Sequence, residues 1–299
     1  NYKANVVSGG DDALIEEAAD LLASAERPAV IVDDGARWSL GDDVGAIADL
    51  SDYLKMPVGV SGNLCRGIFG NEAENPLLRT NAMGGADVVL ALGCRFDFRM
   101  GSGRGIPKDA KVIQVHTDMR QIGFNVRADI GILGSSGAVT KNILEKVTGK
   151  RNPKADDPWT GKVVPGGTTG KLPAEYTSTK TPTHPARAAG DVGQFLEEDA
   201  SDWTIVSDGG EVSVWFGRTT TATRPGQMHS SGANGTIGTG PCLVVGSWVA
   251  NRKPVLWYTG DGSFGFYAME METMARLGIP VVCVIANNSS WGMIHIEEK

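Results

Sequence analysis

The feature that most constrains the fold of this chain is a strand–helix–strand pattern near its carboxyl end. An apolar run over residues 255–258 leads into Gly260-Asp261-Gly262, a helical pattern covers residues 267–277, and a second apolar run over 281–286 ends at Asn287-Asn288. Parallel strands joined by a crossover helix bring their carboxyl ends to the same edge of a sheet. The pattern therefore predicts that Asp261 and Asn288, 27 positions apart in sequence, lie side by side.

The side chains at this predicted edge are those of a magnesium and phosphate site. The Asp261 carboxylate, the Asn288 amide oxygen and a nearby backbone carbonyl form an all-oxygen half-shell, which suits Mg²⁺ because that cation prefers oxygen and often completes its octahedron with phosphate. Gly262 lets a phosphate approach the backbone, and the amides of Gly262 and Ser263 can donate to it. The alternative is an ordinary βαβ unit with polar turn residues, which leaves the asparagine pair unexplained.

A second glycine-rich stretch lies upstream, over residues 230–241. Its glycines suit a loop that wraps closely around a ligand, because a residue without a Cβ allows close approach. The alternative interpretation of this stretch is a flexible turn before a helix.

The segment from Gly260 to Asn288 resembles the diphosphate-binding motif of thiamine-diphosphate enzymes, GDG followed by some two dozen residues and NN. The rest of the chain is similar to the group that contains acetolactate synthase, benzaldehyde lyase and 2-hydroxyacyl-CoA lyase. This resemblance implies that Asp261, Asn288 and the main-chain carbonyl of Ser290 bind the metal. It also implies that Ile237 holds the two rings of the cofactor in a V and that the Gly235 carbonyl accepts a hydrogen bond from its amino group. The cofactor-binding residues that it implies are Gly210, Glu211, Gly235, Thr236, Ile237, Gly260, Asp261, Gly262, Ser263 and Asn288.

The chain departs from acetolactate synthases at two of these places. Those enzymes carry Gln-His where this chain has Glu211-Val212, and usually Met where it has Ile237. An acid beside a diphosphate is electrostatically unfavourable, so Glu211 is expected to face the substrate or a distal group of the cofactor. The resemblance leaves carboligation of a 2-oxoacid and cleavage of a 2-hydroxyacyl-CoA as close rivals.

The resemblance covers the middle domain of the family and most of its diphosphate-binding domain, without the carboxyl end of the latter. The pyrimidine-binding domain of the family has no counterpart in this sequence. Because the activating glutamate lies in that domain of a neighbouring subunit, no catalytic residue is assigned. The resemblance implies a homodimer or tetramer with the active site at a subunit interface, and this chain alone is expected to be inactive.

Patterns along the whole chain predict an α/β fold with two doubly wound parallel-sheet domains joined by an irregular linker. Apolar strand patterns at 29–35, 57–62, 86–94, 110–118 and 128–133 alternate with helical ones. Continuous apolar strands of this kind indicate a parallel sheet covered on both faces. We predict a central Rossmann-like domain over 1–147, an exposed linker rich in Pro, Gly, Lys and Thr over 148–183, and a thiamine-diphosphate domain over 184–299.

The predicted central domain contains a charged loop, CRFDFRMGSGRG, over residues 94–105. Composition alone favours a plain glycine-rich loop. The functional alternative is a nucleotide site for ADP or FAD at the carboxyl edge of the sheet, where Arg95, Arg99 and Arg104 meet phosphates. GSGRG is not a GxGxxG motif, so an NAD-dependent oxidoreductase has little support.

Composition argues against several kinds of partner and location. Twenty-eight Lys and Arg against 35 Asp and Glu give a formal net charge of −7, without a basic stripe, which argues against nucleic acid and anionic membranes. The apolar runs are of strand length and cannot span a bilayer. Cys65, Cys94, Cys242 and Cys283 are widely spaced without CxxC, which predicts buried free thiols in a reducing, cytoplasmic compartment.

These observations predict a thiamine-diphosphate- and Mg²⁺-dependent lyase or carboligase that makes or breaks a carbon–carbon bond next to a carbonyl group. Its substrate is expected to be a small 2-oxoacid, aldehyde or acyl-CoA. The alternative is a non-catalytic, nucleotide-binding regulatory module of the same fold.

Overall fold

A computed structural model describes residues 8–68 without 40, 42 and 44, residues 83–150, residue 159 and residues 174–297. The chain divides into two compact units, a first unit over residues 1–170 and a second unit over 171–299. The predicted domains 1–147 and 184–299 lie within these units. Each unit is built on a sheet in which all described pairings are parallel. The predicted α/β class is therefore confirmed.

The sheet of the first unit has five strands in the order β2-β1-β3-β4-β5. The chain runs outward from β1 to β2 and then crosses back to β3 on the other side of β1, so the strand order reverses between β1 and β3. In open parallel sheets, the crevice at such a reversal is where ligands bind. The strands are β1 (Pro28–Val32), β2 (Val58–Val60), β3 (Val88–Leu92), β4 (Lys111–His116) and β5 (Ile130–Leu133).

Both faces of this sheet are covered, as the continuous apolar strands require. The helices α1 and α4 pack against each other, as do α3 and α4. One face carries Val30 and Leu90 against Ile15, Leu50 and residues of like kind from these helices, and the opposite face packs Ile31 and Val89 against residues that include Phe96. The helices are α1 (Asp12–Ser24), α2 (Asp34–Arg37), α3 (Gly45–Leu54) and α4 (Ser136–Thr148), with 3₁₀ turns at Asn63–Cys65, Phe98–Gly103 and Met119–Gln121.

The sheet of the second unit has four strands in the order β7-β6-β8-β9. They are β6 (Thr204–Asp208), β7 (Met228–His229), β8 (Val255–Gly260) and β9 (Val281–Ala286). The helices are α5 (Pro185–Asp199), α6 (Glu211–Thr219), α7 (Gly240–Asn251), α8 (Asp261–Phe266), α9 (Glu270–Arg276) and α10 (Gly292–Glu297), with 3₁₀ turns at Ala174–Thr177 and Gly232–Asn234. Phe216 and Tyr258 stack on one face of the sheet, and Val244 and Trp257 pack on the other.

Two local predictions differ from the structure. The helix predicted over 267–277 is the shorter helix α9 at Glu270–Arg276, and a separate helix, α8 at Asp261–Phe266, precedes it directly after β8. The short strand β7 was not predicted, since two residues carry too little pattern to mark a strand.

The predicted linker and the predicted cysteine burial are each wrong in part. Trp159 is buried in the core of the first unit, where its indole donates to the Pro28 carbonyl at 3.1 Å, and Tyr176 is buried against the second unit. Both lie in the segment predicted to be exposed. Its composition is polar overall, but a large aromatic side chain gains much from burial, so these two rings pack into the cores of their units. Cys242 is exposed on α7, Cys283 is half-buried, and Cys65 and Cys94 are buried free thiols as predicted.

Length argues against a membrane-crossing helix in the described part of the chain. Its longest helix, α5, has 15 residues, and none there is both long and apolar enough to cross a bilayer.

Candidate active site

The carboxyl edge of the second sheet is built where β8 and β9 end. The two strands pair in register, with Gly260 opposite Ala286. Asp261 follows directly as the first residue of α8, and Asn287-Asn288 follow β9. Because paired strands of equal length deliver their next residues to the same edge, Asp261 and Asn288 line one cavity.

This cavity has a volume of about 280 Å³ and collects the predicted site residues from four segments of the chain. Thr236 is the exception, because it is exposed and does not line the cavity. The predicted residues that line it are Gly210, Glu211, Gly235, Ile237, Gly260, Asp261, Gly262, Ser263, Asn288 and Ser290. The crossover connections of a parallel sheet thus bring together segments that are up to 80 positions apart, from 210 to 290.

The predicted metal ligands supply three kinds of oxygen: the carboxylate of Asp261, the side-chain amide oxygen of Asn288 and the main-chain carbonyl of Ser290. Asp261 offers a carboxylate, and Asn288 and Ser290 belong to a tight turn in which the Ser290 amide donates to Asn288 Oδ1 at 3.0 Å. Within the described residues, no group of three or more His, Cys, Asp and Glu is placed to hold a metal ion. A metal at this edge would therefore depend on amide and carbonyl oxygens beside the carboxylate, a donor set that fits Mg²⁺.

The charge of the cavity also bears on what it can bind. Among the described residues, its lining includes two carboxylates, Asp261 and Glu211, and no Lys, Arg or His. A phosphate placed there without a cation would meet only repulsion from these side chains. The cavity therefore suits an anionic ligand only when a metal ion accompanies it.

Glu211 lies on the asparagine side of the cavity. Its Oε1 accepts a hydrogen bond from the Trp215 indole at 3.3 Å, one turn further along α6. A Cβ built on Gly292 would stand 2.3 Å from Glu211 Oε2 and 2.8 Å from Asn288 Nδ2, so both side chains close around this glycine. Glu211 is thus held by its own helix and placed beside the turn of Asn288.

Trp291 lines the same cavity and packs directly against Gly262. A Cβ on Gly262 would stand 2.4 Å from the indole nitrogen of Trp291, so glycine at this position makes room for the ring. The ring also stacks on Phe266, with 6.2 Å between centroids. Trp291 stands three positions after Asn288, and this closeness in sequence could have indicated that the ring lies near the site. Sequence reasoning also missed the other lining residues Gly209, Val212, Gly292, Met293 and Ile294.

The crevice between β1 and β3 in the first unit has a different content. The Arg99 guanidinium contacts three carboxylates: Asp33 at 3.1 Å, Asp34 at 3.2 Å and Asp97 at 2.9 Å. Asp33 is 1% exposed, and the Arg99 side chain is 16% exposed. The guanidinium is therefore already neutralised by carboxylates of the same chain.

Burial and this ion cluster shift the ionisation of the acids in opposite directions. Burial raises the pKa of Asp33, and the nearby Arg99 charge offsets only part of the rise. Burial also raises the pKa of Asp97, but the hydrogen bonds and charge of Arg99 outweigh it and hold that pKa below its usual range. Burial lowers the pKa of Arg99, and the bonds to Asp97 and the charges of all three acids outweigh this and raise it.

The backbone also closes this crevice. A Cβ on Gly93, after β3, would stand 1.9 Å from the Ala36 amide nitrogen, and one on Gly35 would stand 2.4 Å from the Gly93 carbonyl oxygen. The turns after β1 and β3 are thus in direct contact, and three acids surround the one guanidinium. Among the described residues of this edge, the guanidinium of Arg99 is thus held by acids of the chain itself.

Arg99 contacts three carboxylates in this structure, so a nucleotide phosphate at Arg95, Arg99 and Arg104 stays a prediction. Arg95 and Arg104 are exposed, and the Arg104 Nε donates to the Gly101 carbonyl at 3.0 Å. The three arginines do not converge on one anion site, because Arg99 turns towards carboxylates from the far side of the crevice.

The second unit has the architecture of α/β proteins with a parallel sheet, a class in which ligands bind at the carboxyl edge. Comparison with known families specifies the class further. Residues 208–299 match the C-terminal TPP binding domain of thiamine pyrophosphate enzymes, and residues 15–143 match the central domain of the same enzymes. The chain belongs to the thiamine pyrophosphate (thiamine diphosphate) enzyme family.

Several relatives are similar over nearly the whole chain. A probable acetolactate synthase large subunit of Methanocaldococcus jannaschii is 30% identical and covers 98% of this chain. A probable acetolactate synthase of Mycobacterium bovis is 28% identical over 93% of it, and 2-hydroxyacyl-CoA lyase 2 of Danio rerio is 27% identical over 96%. The matches cover 51%, 50% and 46% of these relatives, so the chain spans about half of their length.

Proposed function

We propose that this chain is the cofactor-binding part of a thiamine-diphosphate- and Mg²⁺-dependent enzyme that makes or breaks a carbon–carbon bond next to a carbonyl group. The observation that carries the proposal is the cavity that Asp261, Asn288 and Ser290 line together with Ile237. Its oxygen donors, its glycine-rich wall and its lack of cationic side chains are all consistent with a metal-bridged diphosphate.

Each residue then has a defined task. Asp261, Asn288 and the Ser290 carbonyl would hold Mg²⁺, and the amides of Gly262 and Ser263, which the first turn of a helix leaves without a helical acceptor, would donate to the diphosphate. When bound, thiamine diphosphate supplies the nucleophilic carbon and the electron sink. The chain itself binds, orients and neutralises charge.

The glycine loop would position the rings of the cofactor. Ile237 is half-buried and lines the cavity, so its side chain can support the two rings, and the Gly235 carbonyl would accept a hydrogen bond from the amino group. Support of this kind accelerates a reaction by orientation, since small misplacements of reacting groups cost large factors in rate.

The substrate is proposed as a small 2-oxoacid, aldehyde or acyl-CoA. Relatives named acetolactate synthase and 2-hydroxyacyl-CoA lyase 2 support both reaction directions, and Glu211-Val212 does not decide between them. We further propose a homodimer or tetramer in which another subunit's pyrimidine-binding domain supplies the activating glutamate, in a cytoplasmic setting.

The central domain is proposed to act without ADP or FAD at its carboxyl edge. The Arg99 cluster and the contact between the turns after β1 and β3 support this, because they occupy the crevice where a nucleotide phosphate would enter. The regulatory nucleotide-binding module thereby loses its supporting observation.

Calorimetric titration of the chain with thiamine diphosphate, with Mg²⁺ or with a chelator, tests the proposed function. We expect binding that requires Mg²⁺ and an affinity loss on the order of 100-fold in Asp261→Asn, because a metal ligand is lost. Glu197→Gln, which changes an exposed acid on α5, is the matched control and should bind as the wild type does. Wild-type affinity in Asp261→Asn, or binding indifferent to Mg²⁺, would overturn the proposal.

A further inference from the structure

Asp208 is a buried carboxylate at the end of β6 that the proposed function does not use. It is 2% exposed. Its Oδ1 accepts a hydrogen bond from the Gly238 amide at 3.0 Å and its Oδ2 one from the Gly240 amide at 2.7 Å. Burial raises the pKa of Asp208, and these two amides lower it in part. Both oxygens of a single side chain are therefore directed at one loop.

That loop carries Ile237 into the cavity. Gly238 follows Ile237 directly, in the loop between the 3₁₀ turn that ends at Asn234 and α7, and Gly240, three positions after Ile237, is the first residue of α7. The two hydrogen bonds tie the loop to the carboxyl end of β6 on both sides of Thr239. Any displacement of the loop away from β6 would break them.

The glycines complement this carboxylate. A Cβ on Gly240 would stand 2.8 Å from Asp208 Oδ2 and 2.2 Å from the Trp257 indole nitrogen, so any other residue would push the loop off the sheet. Gly238 has φ +84°, a conformation that side chains disfavour, and its missing Cβ leaves room for Phe266. The loop therefore approaches the sheet closely, and Asp208 supplies the polar contact at that approach.

We propose that Asp208 is a positioning residue that holds Ile237 in the cavity before any cofactor binds. A carboxylate accepts from two amides at once, and such charge-assisted bonds are stronger than neutral ones. The importance of Ile237 to the cofactor rests on the proposed function, whereas the attachment of the loop to β6 does not.

Asp208→Asn is the test variant, because an amide of the same shape keeps one acceptor and turns an N–H₂ towards the second backbone N–H. Asp202→Asn is the matched control: it changes an exposed acid six positions earlier that pairs with Lys253. Amide hydrogen exchange at residues 238–240, measured on the cofactor-free chain, should rise about tenfold in Asp208→Asn, the effect of one lost hydrogen bond, and stay unchanged in the control.

A second measurement separates the rings from the diphosphate. With Mg²⁺ present, Asp208→Asn should bind thiamine diphosphate about tenfold more weakly, because the ring support has moved, and bind inorganic diphosphate as the wild type does. Unchanged exchange at 238–240, or an equal loss of both ligands, would overturn the proposal.

Unfolding of the variant and absence of cofactor binding in the wild type have different meanings. If Asp208→Asn unfolds as a whole, which faster exchange across β8 reveals, Asp208→Ser replaces it with the same expected results, since the smaller side chain leaves room for a water molecule. Absence of Mg²⁺-dependent thiamine diphosphate binding in the wild type counts against the proposed function alone, because exchange at 238–240 still decides whether Asp208 holds the loop.

Discussion

The carboxyl edges of the two sheets start from the same architecture and reach opposite chemistry. In the first unit, Asp33, Asp34 and Asp97 surround Arg99, so the acids have their counter-ion within the chain. In the second unit, two acids line a cavity to which the described part of the chain contributes no cationic side chain. A buried acid is costly without a counter-ion, and Arg99 supplies one in the first unit, whereas the partly exposed acids of the second unit leave room for a cation from outside. Under the proposed function, the source of the counter-ion, more than the sheet, separates the two edges.

Replacing Arg99, the counter-ion within the first unit, should give the largest effect, a loss of stability. In Arg99→Met, Asp33, Asp34 and Asp97 lose the guanidinium that contacts all three, and the free energy of unfolding should fall by about 3 kcal/mol at neutral pH, as when a buried ion pair is broken. Urea denaturation measures this. Arg104→Met, which removes an exposed arginine that is bonded to a carbonyl, is the control and should change stability by less than about 0.5 kcal/mol.

The free energies of unfolding of the wild type and of Arg99→Met should depend on pH in opposite ways. In the wild type, the pKa of Asp97 is held below its usual range, so the stability from this group is present above its unfolded pKa and lost as pH falls through the folded value. In Arg99→Met, unpaired buried carboxylates favour the protonated native state, so this variant regains stability as pH falls. The difference in free energy of unfolding between the wild type and Arg99→Met should therefore become smaller as pH falls from neutral to about 4. A difference that does not change would contradict the ion cluster.

Substitutions of Asn287 and Asn288 test whether the second unit takes Mg²⁺ as its counter-ion. Each asparagine holds the turn in the same way, since Asn287 Oδ1 accepts from the Ser289 amide at 2.8 Å and Asn288 Oδ1 from the Ser290 amide at 3.0 Å, but only Asn288 lines the cavity. Asn288→Leu should weaken Mg²⁺-dependent thiamine diphosphate binding roughly 30-fold, and Asn287→Leu less than about threefold. Calorimetry on both variants gives the comparison. Equal losses in two folded variants would mean that the turn, and not a metal contact, explains the effect.

The smallest expected effect is at the edge of the first unit. ADP or FAD, titrated against the chain at concentrations up to about 1 mM, should show no saturable binding, because the crevice between β1 and β3 is closed and acidic. Fluorescence or calorimetric titration suffices. Saturable binding that Arg99→Met abolishes would show that the cluster opens to a phosphate and would remove the contrast between the two edges.

Much of the second unit followed from local pattern. Apolar runs of strand length, each ending in a polar turn, placed Asp261 and Asn288 at one edge, because a parallel pair joined by a crossover helix leaves no other arrangement. Residues whose role depends on a neighbour distant in sequence were missed. Trp291 fills the space above Gly262, and the two amides that Asp208 binds lie 30 and 32 positions further along the chain.

The first unit marks the limit of sequence reasoning. The segment with Arg95, Arg99 and Arg104 was compatible with a phosphate site, and nothing within it indicated that Arg99 would meet Asp33 and Asp34, which lie 66 and 65 positions earlier. By itself, the sequence determined the class of fold, the order of the longer strands and helices and the oxygen-rich chemistry at the carboxyl end, because periodicity and turn residues act over short distances. Only the tertiary structure decided which charges neutralise each other and which remain for a ligand, because an electrostatic interaction depends on distance and burial in space, which the order of residues does not specify.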